Sequence, residues 1–63
     1  MGLPVELVPE SLMYPQRSND MIAWLIKQPM TREDKVRVLH WWARWVGLRL
    51  RGSDYTKVYN SGN

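Results

Sequence analysis

Apolar residues in this chain recur at helical spacing in two adjacent blocks. In the first, Ile22, Leu25, Ile26 and Pro29 fall at i, i+3, i+4 and i+7, and Met21 and Trp24 widen the stripe. Ser18 or Asn19 is placed to cap this block, and Asp20 stands in its first turn, where the helix dipole favours negative charge. Pro29 closes it, because the residue before a proline avoids helical geometry. A first helix over residues 19–28 is expected.

The second block, TREDKVRVLHWWARWVGLRL over residues 31–50, reads as one amphipathic helix and holds three of the four tryptophans. Thr31 is its expected cap, with Glu33 and Asp34 in the first turn. Gly47 suits a left-handed residue just past the helix end, and Leu48 is the apolar residue that should follow it. The helix is therefore expected over residues 31–46, joined to the first by the short connection Gln28, Pro29, Met30 to make a helical hairpin. With Val36 at zero and 100° per residue, Val36, Leu39, Trp42, Ala43 and Val46 fall between about 240° and 360°. This arc is assigned to packing against the first helix. Val38, Trp41 and Trp45 fall between about 140° and 200° and form a second apolar face.

The flanks are shorter. Residues 1–16 hold Pro4, Pro9 and Pro15, which interrupt helical hydrogen bonding, together with Leu3, Val5, Leu7, Val8, Leu12, Met13 and Tyr14. So apolar a segment is expected to lie across a helix as a proline-braced arm rather than hang free. Within it, Leu3 to Leu7 reads as a short extended piece and Pro9 to Met13 as one helical turn. After Gly47, Leu48 to Arg51 should be an extended connection. Ser53 is the expected cap of a short third helix within residues 53–59, presenting Tyr55, Val58 and Tyr59, and residues 60–63 a frayed tail. The fold class expected is all-α, one mini-domain over residues 1–63.

Composition narrows what such a domain can do. Sixty-three residues are near the lower limit for a single hydrophobic core, and the chain has no cysteine to add a disulfide or thiolate zinc site. One histidine is too few for an imidazole-based metal site, so no metal or other cofactor is expected. No nucleophile-and-base set, phosphate-cradling glycine loop or dinucleotide fingerprint is present, and an enzyme is not expected. No apolar run is long enough to span a bilayer, the N-terminus lacks the pattern of a secretory signal, and a cytoplasmic protein is expected.

The net charge of +3 is compatible with acidic protein, nucleic acid or anionic lipid. The expected function is non-enzymatic binding, to a protein partner or a second copy. Val38, Trp41 and Trp45 would anchor it, and Arg37, Arg44 and His40 would form a polar rim. The alternative is a helix-turn-helix-like nucleic-acid binder using Arg32, Lys35, Arg37 and Arg44 of the second helix. Against that alternative stand Glu33 and Asp34 at the helix start and the run WWARW in its middle. A membrane surface is set aside, because Lys35 and Arg49 split the apolar arc and the helix caps suit a folded domain.

Overall fold

The computed structural model describes residues 3–61. Met1 and Gly2 of the arm, and Gly62 and Asn63 of the expected tail, lie outside the described residues. Three α-helices follow three short 3-10 turns: α1 Ser18–Ile26, α2 Arg32–Val46 and α3 Gly52–Asn60. The described chain is all-helical, as its periodicity predicts. The third helix contributes more than expected, since α3 packs along α2 at least as extensively as α1 does. The hairpin is thus part of a three-helix arrangement.

Helix α2 begins and ends where local chemistry dictates. The Asp34 amide donates to the Thr31 hydroxyl at 3.1 Å, satisfying one of the N–H groups a helix start leaves unpaired. Gly47 is the only described residue with positive φ, at 78°. The amides of Gly47 and Leu48 both donate to the Ala43 carbonyl, the latter at 2.9 Å, which closes the helix and turns the chain.

The other ends depart from expectation. Neither Ser18 nor Asn19 caps α1: the helix starts at Ser18, Arg17 holds the cap position, and the 3-10 turn Pro15–Arg17 feeds directly into it. Proline at the start of that turn presets the backbone, so no side-chain cap is required. The helix ends at Ile26, two residues before Gln28. The amides of Lys27 and Gln28 take the carbonyls of Trp24 and Leu25, each at 3.1 Å, and Gln28 Nε2 adds a second bond to the Trp24 oxygen at 3.0 Å. Helix α3 starts at Gly52, and Ser53 does not cap it. Asp54 does, its carboxylate accepting from the Arg51 amide at 3.2 Å.

One cluster of buried side chains joins the helices: Met21, Ile22 and Leu25 from α1, Met30 from the connection, Val38, Leu39, Trp42 and Ala43 from α2, and Val58 from α3. The arm lies across its own chain. Leu3, Val5, Val8, Leu12 and Met13 pack against this cluster, and the Trp42 indole donates to the Leu12 carbonyl at 2.6 Å. The predicted turn at Pro9 to Met13 is the 3-10 turn Glu10–Leu12. The extended piece predicted at Leu3 to Leu7 is instead the 3-10 turn Val5–Leu7, since the amides of Leu7 and Val8 find acceptors on Pro4 and Val5. The radius of gyration, 10.4 Å, matches the roughly 10.6 Å of a folded chain of this length, so the arm adds no projecting tail.

Candidate functional site

The buried arc of α2 is rotated from the one its sequence predicts. Lys35, Val38, Leu39, Trp42 and Ala43 are its buried residues, spanning about 200° to 340° on the helical wheel, whereas the predicted arc ran from about 240° to 360°. Three assignments change. Val38, expected on the outward face, is fully buried in the core and offers nothing to a partner. Val36 and Val46, expected in the core, are only half-buried and pack at its edge. The physical reason is the flanking load: α3 and the arm both need contact with α2, and a helix packed on several sides centres its buried arc between them.

Lys35 is a further correction. It is 1 % exposed, and its ammonium donates to the Ile26 carbonyl at 2.8 Å. A cation beside the last carbonyl of α1 meets the negative end of that helix. It is a structural cap joining α1 to α2 and cannot reach a phosphate. Arg32, another residue of the nucleic-acid alternative, is half-buried with its guanidinium carbon 5.1 Å from the centroid of the Tyr59 ring. Its charge is directed at its own chain through a cation–π contact.

What remains outward on α2 is a face of Arg37, His40, Trp41, Arg44 and Trp45. The side chains recur three and four residues apart and so lie on one strip of helix surface. Trp45 is 71 % exposed. Trp41 is half-buried, and the two indoles stand 6.3 Å apart between centroids, inclined by 50°. This tilted spacing falls within the favourable range for aromatic pairs. Five of the six residues assigned to partner binding are therefore brought together at the surface, and Val38 is not.

Tyr55 of α3 belongs to the same site, although no local signal marks it. Its hydroxyl lies 3.4 Å from His40 Nδ1, with ring centroids 6.4 Å apart. Only the packing of α3 on α2 creates this pair. His40 and Tyr55 stand between two open concavities of about 420 and 480 Å³, and both residues line each of them together with Arg44. Among the described residues, no three His, Cys, Asp or Glu side chains come together as metal ligands, and no helix is long and apolar enough to cross a membrane.

Fold and site together describe a small three-helix domain carrying one aromatic and basic outward face. Comparison with protein-family models, with curated proteins and with solved structures found no match.

Proposed function

We propose that this chain is a non-catalytic interaction module that docks on another protein through the outward face of α2. Trp45 and Trp41 anchor the contact, and Arg37, Arg44 and His40 form its rim. The observation that carries this reading is the exposure of Trp45. The fold takes the neighbouring indole of Trp42 entirely out of water but leaves Trp45 71 % exposed on the adjoining arc. Tryptophan and arginine are the residue types that most often dominate binding energy at protein interfaces. A small domain that offers both on one strip has a surface suited to burial by a partner.

The test pairs two measurements. Light scattering gives the mass of the free chain and separates self-association from docking on a different protein. Immobilised chain, wild type and Trp45→Ala, is then exposed to nuclease-treated lysate of its own source cells. Capture of a discrete protein by the wild type, lost in the variant, supports the reading. Equal capture by both forms removes it. Of the four α2 residues in the nucleic-acid alternative, Arg37 and Arg44 remain available, since Lys35 is buried and Arg32 is engaged with Tyr59. Two phosphate contacts correspond to a log–log salt slope of only about −1.8 on duplex DNA.

A further inference from the structure

The two concavities beside His40 and Tyr55 differ in character from the rest of the surface. The larger, about 480 Å³, is lined by apolar side chains of Leu3, Val36 and Trp41, with Arg37 and Arg44 beside them. The smaller, about 420 Å³, lies between the end of α2 and the connection Leu48, Arg49, Leu50. His40, Arg44 and Tyr55 line both, so the two form one interrupted groove.

The charged side chains that line this groove, Arg37, Arg44 and Arg49, have one sign. No acidic residue occurs between Lys35 and Asp54. Arg37, Arg44, Arg49 and Arg51 are all exposed in that interval. Among the described residues the one ion pair is Arg17 with Asp20, at the start of α1, so none of these four guanidinium groups pairs with a described carboxylate. An apolar floor beside uncompensated arginines is complementary to apolar side chains flanked by carboxylates.

We propose that the groove binds an acidic segment of a partner protein. A large apolar side chain of that segment enters the concavity beside Leu3 and Trp41, and flanking Asp or Glu side chains meet Arg37, Arg44 and Arg49. The proposal rests on the interaction-module reading and adds the chemistry of the partner. A nucleic acid fits less well, because stacked bases require ring faces in succession, whereas Trp41 is half-buried and inclined by 50° to Trp45. A small anion fits less well too, since both concavities are shallow and would leave it largely in water, while a peptide covers them with its own backbone.

The test is selection of a random dodecapeptide display library on the intact chain, followed by binding of the enriched peptides in synthetic form, read by tryptophan fluorescence. Expected are peptides with Phe, Leu or Trp flanked by Asp or Glu. Arg37→Ala combined with Arg44→Ala should weaken their binding roughly tenfold at low salt and flatten its salt dependence. Both side chains are exposed, and circular dichroism melts confirm that the variant stays folded. Enriched peptides without acidic residues, or binding indifferent to the arginine substitutions, overturn the proposed chemistry while leaving the docking reading intact. An oligothymidylate that displaces the enriched peptides and binds more tightly than they do also overturns it, in favour of nucleic acid. Absence of any enriched sequence overturns it as well. Failure of the docking reading itself shows separately, as lysate capture unaffected by Trp45→Ala.

Discussion

The indole nitrogen of Trp42 donates a 2.6 Å hydrogen bond to the carbonyl of Leu12, thirty residues earlier in the chain. This bond ties the N-terminal arm to the central helix. It also solves two problems at once, because a buried tryptophan needs a partner for its N–H and an arm of short 3-10 turns leaves carbonyls in need of donors. Trp42→Phe keeps an aromatic ring in the core but leaves the Leu12 carbonyl without that donor. The expected loss is about 2–3 kcal/mol, combining the unpaired group with the smaller ring. Urea unfolding measures it. Amide exchange at Met13, beside the lost bond, should rise more than exchange within α2. An unchanged midpoint would show that the arm is held by apolar contact alone.

The Lys35 ammonium caps α1 from the side, on the carbonyl of Ile26. Lys35→Met preserves the unbranched stem and removes the donor. Stability should fall by about 1–2 kcal/mol, because the Ile26 carbonyl then lacks its described partner. Lys35→Ala should cost more, about 3 kcal/mol, since it also empties buried volume. Thermal melts at low and high salt check the mechanism. A shielded hydrogen bond keeps both losses nearly independent of salt, and a loss that vanishes in high salt would point to a long-range charge effect instead.

Gly47 and Gly52 predict opposite signs for the same substitution. Gly47 has φ of 78° and ends α2, and no atom lies within 4 Å of where its Cβ would stand. Gly47→Ala is therefore penalised by backbone conformation alone, by about 1–2 kcal/mol. Gly52 also has open space at its Cβ position, but it is the first residue of α3 and its φ is not positive. Gly52→Ala should stabilise by about 0.4–1 kcal/mol, by restricting the unfolded chain. Chemical denaturation of the two variants side by side is the check, and a shift of both midpoints in one direction would refute the assignment of the turn.

The features legible in the sequence are those set by neighbours in the chain. Thr31 with Asp34 and Gly47 with Leu48 act over three or four residues, and both ends of α2 lie where these residues put them. The assignment of faces is different. About two thirds of the C-terminal half of α2 is apolar, so periodicity alone left room to rotate the core arc, and the true rotation depends on α3 and the arm. Val38 changed sides for that reason. Lys35 could not be placed from its type, because lysine is ordinarily exposed and its acceptor lies across the connection on a different helix. Tyr55 entered the site only through the docking of α3. The third helix was legible, while its start at Gly52, with the Asp54 carboxylate on the Arg51 amide in place of a Ser53 cap, depends on how the chain arrives at Arg51.

Trp45 separates binding from stability more sharply than any other residue here. It is 71 % exposed and stands in a tilted ring pair with Trp41. Trp45→Ala should change stability by less than about 0.5 kcal/mol, as expected of exposed positions. The same substitution should remove most partner binding, because an indole at the centre of an interface commonly contributes 2 kcal/mol or more, roughly thirtyfold in affinity. Fluorescence gives a direct reading of the free state. With Trp42 buried and Trp24 and Trp41 half-buried, Trp45 should account for most of the acrylamide-quenchable emission, and Trp45→Ala should shift the remaining emission to shorter wavelength. If quenching of the wild type is as weak as that of the variant, Trp45 is already covered, by the chain itself or by a second copy, and light scattering of the same sample tells these two apart.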